Sequence, residues 1–112
     1  FSLDDVNWNN WNIIENFAPF GMENPKPIFL FENIKIDEVK KFGNGGIHLE
    51  LSFRKTDEVL VKAIGFFMAP DKFKDVLLET GKNIDLAATM EKSMFRGIPE
   101  LRLRIVEIRE VV

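Results

Sequence analysis

An all-β fold with a minor helical part is what this sequence predicts, and three observations predict it. Apolar residues recur with period two in several runs: Ile47, Leu49, Leu51 and Phe53; then Ile84, Leu86, Ala88 and Met90; then Leu101, Leu103 and Ile105. That period belongs to strands buried on one face. The alternation slips at Val39 and again at Val106 and Ile108, as it does where a bulge bends a long strand. Finally, Phe17–Pro27 places three prolines and a glycine in eleven residues, which excludes both a helix interior and a central strand.

The elements follow in order. Trp8, Trp11 and Ile14 fall on one side of a short helix whose N-cap is Asn7 or Asp5. Its asparagines are poor helix formers, so the helix needs tertiary packing through its tryptophans. Phe17–Pro27 is a stiff connector, with Ala18, Asn24 and Lys26 extended before their prolines. Its aromatic residues argue for a clamp between helix and β-domain rather than a flexible linker. A bent first strand starts at Ile28, and Phe42–Gly46 is a glycine-rich turn. The second strand runs over Ile47–Arg54, and Lys55–Glu58 turns the chain into a third over Val59–Phe67. Ala69-Pro70-Asp71 predicts a helix start, with Phe73, Val76 and Leu77 on one face and Gly81 as its end. A fourth strand carries Ile84–Glu91, Lys92–Pro99 is a loop, and a fifth strand begins at Leu101. Five strands with a helix between strands 3 and 4 describe a five-stranded OB-fold, a Greek-key β-barrel, here preceded by an N-terminal helix and the Pro-rich connector. The division expected is residues 1–27 for helix and connector and 28–112 for the barrel.

At 112 residues the chain has room for one core. It has no cysteine, hence neither a disulfide frame nor a thiolate metal site. No apolar run approaches the roughly 20 residues a bilayer requires, no signal peptide is evident, and a cytoplasmic location is expected. Because it begins at Phe1 rather than Met, a longer polypeptide is expected. The net charge of −3 sits entirely in residues 1–27, where Asp4, Asp5, Glu15 and Glu23 oppose Lys26, so the β-domain is neutral. A basic groove must then come from placement rather than total charge.

Catalysis finds little support. His48 is the only histidine, and no HExxH, GxSxG or GxxxxGK spacing occurs. The glycine-rich turn joins two strands, so it lacks the helix N-terminus that cradles phosphate. No catalytic residue and no metal ligand set is expected in this chain. Binding fits better. OB-folds bind oligonucleotides across strands 2 and 3, between the loops joining strands 1–2 and 4–5. There the sequence offers His48, Ser52, Arg54 and Lys62, the loop residues Phe42, Asn44, Lys92, Phe95 and Arg96, and Arg102 and Arg104 on strand 5. Aromatics interleaved with cations suit single-strand binding. Residue types alone leave a second reading open, in which Phe42 caps the barrel and the cations pair with Glu50 and Glu91. Trp8, Trp11, Phe17 and Phe20 are the expected interdomain contacts.

Three segments carry a family resemblance over about Leu3–Ile108. Phe17–Phe29 resembles the signature L-x-P-F-G-x-G-N-P-x-P-x-F, Gly45–Leu51 is similar to G-x-H-L-K-L, and Ser93–Gly97 with Leu101-Arg102-Leu103 resembles N-x-W-x-G … L-x-L. These belong to the C-terminal OB domain of the RecJ single-strand-specific DNA exonucleases. The resemblance implies a 5′→3′ exonuclease of bacterial DNA repair and recombination, whose Mn²⁺- or Mg²⁺-dependent chemistry lies in upstream domains with an Asp-His-His motif absent here. It implies single-stranded DNA and those upstream domains as partners, no membrane, and no cofactor in this chain. The contacts on DNA would be His48, Arg54, Lys62, Lys92, Phe95, Arg96 and Arg102. Three departures stand out: Glu23 replaces a common glycine, Glu50 replaces a lysine on the proposed DNA face, and Phe95 replaces a tryptophan.

Overall fold

The computed structural model describes residues 1–68 and 76–111. Strands β1 (Phe29–Phe42), β2 (His48–Arg54), β3 (Leu60–Gly65), β4 (Asn83–Phe95) and β5 (Ile98–Glu110) close into a barrel in the order β1-β2-β3-β5-β4. All pairs are antiparallel except β3–β5, which is parallel and short: Ala63 opposes Leu103 and Ile64 opposes Arg104. β1 serves two neighbours. Its first half pairs with β4 and its second with β2, with register shifts between Phe31 and Ile34 and between Ile36 and Glu38. The bend expected near Val39 is therefore made by two irregularities, the first containing Asn33 at φ 53°. A third shift, at Ala87/Ala88 opposite Val106, matches the slip in alternation near the chain end.

The period-two residues fill the barrel. Phe31, Ile36, Leu49, Leu51, Phe53, Ile84, Leu86 and Leu103 are fully buried, each fully buried side chain contributing about 1.5–3 kcal/mol of transfer free energy. Helix α1 (Trp8–Glu15) starts at Asn7, whose side chain accepts from the Asn10 N–H. It packs Trp11 and Ile14 against the core, and Val6 just before it is buried in that core. Ahead of it a 3-10 turn, Leu3–Asp5, is closed by a capping box from Ser2. Asp4 accepts from the Thr56 backbone N–H (3.0 Å) and hydroxyl, and Lys55 Nζ donates to Val6 O at 3.1 Å. These bonds tie the start of the chain to the β2–β3 turn.

The connector is held by Asn24. Its side-chain amide donates to Pro19 O (2.8 Å) and Phe17 O, while Gly21 and Asn24 exchange backbone hydrogen bonds. Phe20 faces Trp11, Ile14, Pro27, Phe29 and Met90, whereas Phe17 is exposed.

Three boundaries differ from expectation. β3 ends at Gly65, and Phe66-Phe67 is a turn. The helix expected from Ala69 lies largely outside the described residues; Val76–Gly81 contain bend and turn, no helix. The stretch Lys92–Pro99, expected as a loop, is instead mostly hairpin: β4 runs to Phe95 and β5 starts at Ile98. Arg96 (φ 51°) and Gly97 (φ 78°) are its two turn residues. Positive φ at both central positions matches the twist of paired strands, so the strands continue almost to the tip. No helix among the described residues is long and apolar enough to cross a membrane.

Candidate nucleic-acid interface

Because side chains alternate along a strand, the residues between the core positions form the outer face of β1-β2-β3 and its continuation on β5 and β4. Register assembles this face row by row. Phe42 opposes His48, Lys40 opposes Glu50 and Glu50 opposes Ile64. Glu38 opposes Ser52 and Ser52 opposes Lys62. On the other side of the seam Glu91 opposes Arg102 and Thr89 opposes Arg104. Ser52 is buried beneath its neighbours, so it is no longer available to a ligand. The hairpin rises from the end of the face near Arg54, and the β1–β2 turn lies at the other end. His48 and Arg54 are six residues apart along β2, about 20 Å.

The strand cations named from the sequence are held by carboxylates. Arg54 donates from Nη2 and Nε to Asp37 (3.3 and 3.4 Å), and its Nη1 meets Glu58 at 3.3 Å. These hydrogen bonds, Asp37 first, push the guanidinium pKa still higher. Lys62 lies 3.8 Å from Glu100. Arg102 Nε bonds Glu91 Oε2, and Arg104 Nη2 lies 3.0 Å from Glu91 Oε1. Glu91 is the most enclosed member, with its side chain 13% exposed. Lys92 and Arg96, by contrast, have no ion pair among the described residues. The pairing expected with Glu91 is present, while Glu50 enters no ion pair among the described residues.

Aromatic groups occupy the two ends. At the hairpin tip Phe95 is 61% exposed, and the Arg96 guanidinium stands 5.3 Å from its ring centroid. Lys92 is on the opposite side of the hairpin from Phe95 and Glu91, by alternation. At the other end the His48 ring meets Phe42, Phe66 and Phe67 at centroid distances of 5.0, 5.2 and 4.8 Å. His48 Nδ1 accepts the Phe67 N–H at 3.0 Å. Arg104 stacks over Phe66 at 4.5 Å. Gly43, at φ 82°, makes room for His48: a Cβ there would sit 2.5 Å from His48 Cδ2.

Phe66 and Phe67 were not identified from the sequence, where they read as the end of a strand. The available signal was two consecutive phenylalanines after Gly65, which strand alternation would turn to opposite faces, so that both rings cannot enter the core. Of the expected interdomain contacts, Trp8 and Phe17 are exposed and Trp11 and Phe20 are half-buried.

A family model, the RecJ OB domain, matches residues 1–107. The single-stranded-DNA-specific exonuclease RecJ of Bacillus subtilis (strain 168) is 31% identical over 64 residues, covering 57% of this chain and 8% of the relative. Among solved structures, RecJ from Thermus thermophilus in complex with Mg²⁺ is similar with TM-score 0.58 and 22% identity, over 83% of this chain and 13% of that one. The mitochondrial single-stranded DNA binding protein Rim1 from S. cerevisiae shares the fold with TM-score 0.53 and 12% identity, over 75% of this chain and 91% of Rim1. The chain thus spans a small part of the RecJ proteins it resembles. On its family match, its closed five-stranded barrel and these likenesses, the chain belongs to the RecJ OB domain family.

Proposed function

We propose that this barrel is the single-stranded-DNA-binding domain of a RecJ-like 5′→3′ single-strand-specific exonuclease of DNA repair and recombination. The observation that carries the reading is the exposed Phe95 ring at the hairpin tip beside Arg96, which has no ion pair among the described residues. It offers one face for a base and one cation for a phosphate, at the margin of the surface OB-folds use. The name of the Bacillus relative supports the substrate class. Phe95 and Arg96 are the first contacts, with Lys92 on the other side of the same hairpin. Lys62, Arg54 and Arg102 are secondary, because each must give up a carboxylate before it meets a phosphate, and His48 stands at the far end of the face among phenylalanines.

Hydrolysis belongs elsewhere in the polypeptide, as does the Mn²⁺ or Mg²⁺ the family chemistry requires. The donor set does not fit such an ion: His48 already spends Nδ1 on the Phe67 N–H and is ringed by phenylalanines. Residues 1–27 form the piece that fixes the barrel against the catalytic part in the cytoplasm, through Trp8, Trp11, Phe17 and Phe20. A second reading, a docking module that binds no nucleic acid, is favoured by one observation: carboxylates neutralise the strand cations.

Fluorescence anisotropy of labelled oligo-dT at low and moderate salt separates the two. Salt-sensitive binding that duplex DNA fails to match is expected. No binding at low salt would leave the docking module.

A further inference from the structure

Phe67 breaks two rules at once. Strand alternation through Ala63 and Gly65 would carry its side chain inward, yet it is 63% exposed. Its backbone sits at φ 57°, a left-handed conformation that is strained for a bulky residue. A large apolar ring turned out to water on a strained backbone gains nothing for stability. The conformation is nevertheless fixed from several sides. His48 Nδ1 accepts the Phe67 N–H at 3.0 Å, and the His48 ring meets Phe67 edge-on at 80°. Phe66, the other residue of the turn, is clamped between His48 and Arg104, and Arg104 is itself anchored by Glu91. Gly43 supplies the space His48 needs.

We infer that Phe67 is a base-stacking post for single-stranded DNA, and that His48 is a positioning residue that holds the Phe67 turn rather than a contact in its own right. The inference rests on the DNA-binding reading above and sharpens it. Contact with His48 puts Phe67 at one end of the β2 row, and the hairpin register puts Phe95 beyond the other. A strand laid across the barrel would stack one base at each post while its phosphates pass over the middle. Base–aromatic stacking tolerates any sequence, since every base has a π-face.

The test compares oligo-dT with an abasic strand of the same length, using the whole 112-residue chain. Phe67→Ala should weaken dT binding about tenfold and leave abasic binding unchanged. Phe67→Gly should raise the melting temperature, because glycine relieves the left-handed strain, while weakening dT binding equally. A purely structural Phe67 predicts a lower melting temperature and unchanged affinity. His48→Leu should reproduce the loss on dT and speed exchange of the Phe67 amide proton. His48→Asn, which can present an oxygen near the position of Nδ1, should restore both. Loss in the double variant no greater than in Phe67→Ala would place the two residues in one unit. Wild-type binding to dT with Phe67→Ala unaffected overturns the stacking post alone. A wild-type chain that binds neither strand at low salt overturns the DNA-binding reading and the post with it.

Discussion

The middle of the barrel face and its two ends solve different problems. In the middle, cations and carboxylates are matched: Arg54 with Asp37 and Glu58, Lys62 with Glu100, Arg102 and Arg104 with Glu91. At the ends, aromatic rings are left uncovered and Arg96 carries a charge with no ion pair among the described residues. The difference teaches that a residue's type does not state its availability. Arginine in an ion pair must give up a carboxylate before it meets a phosphate, so its net contribution to binding is small. An exposed ring has only water to lose.

Breaking the match should have the largest effect. Glu91→Gln leaves two arginines without their shared carboxylate, and Arg104 Nε is already buried without a partner among the described residues. A stability loss of about 1–3 kcal/mol is expected by denaturant titration. Affinity for oligo-dT should nevertheless rise, and the salt slope should steepen by roughly 0.7 per arginine that engages a phosphate. A flat slope would show that these arginines do not reach DNA.

Next in size is Gly43→Ala. The new Cβ would collide with the His48 ring, and the backbone there favours glycine. A loss of about 1–2 kcal/mol is expected, together with chemical-shift changes at Phe42, His48 and Phe67. Changes confined to the β1–β2 turn would uncouple the aromatic end from that glycine.

A finer contrast separates two arginines. Arg96→Ala should reduce the salt slope by about 0.7, whereas Arg54→Ala, whose guanidinium is already engaged, should leave it nearly unchanged. Equal reductions would mean that the ion pairs around Arg54 exchange freely with phosphate.

The smallest effect lies where the chain start meets the β2–β3 turn. Hydrogen bonds from Thr56, the side-chain hydroxyl first, hold the Asp4 carboxyl below the usual carboxylate range. A depressed folded pKa contributes stability above the ordinary value, near pH 4, and loses it as pH falls through the folded value. Asp4→Asn should therefore be slightly less stable than wild type at pH 7, with the gap closing in acid. A gap independent of pH would assign the contact to shape rather than charge.

Much of the fold was legible because its signals are local. Period-two apolar residues named the core of β2 and β4, and the slips at Val39 and Val106 foretold the bulges. Asn7 caps the helix from three residues away. The hairpin tip was misread as a loop because Arg96-Gly97 is a weaker turn signal than Asn-Gly.

The candidate site was less legible. His48, Phe95 and Arg96 could be named as aromatic or basic residues near the right loops. Whether Arg54 was spent could not, since it finds Asp37 only once β1 and β2 align; pairing with Glu91 was one of two open readings, and the β4–β5 hairpin register decided it.

By itself, then, the sequence determined the barrel, its bends, the helix cap and the family, because alternation, capping and turn chemistry act over a few residues. The tertiary structure decided which charges cancel and which ring stands free. Those outcomes depend on cross-strand register and on one hydrogen bond reaching nineteen residues along the chain, from Phe67 to His48.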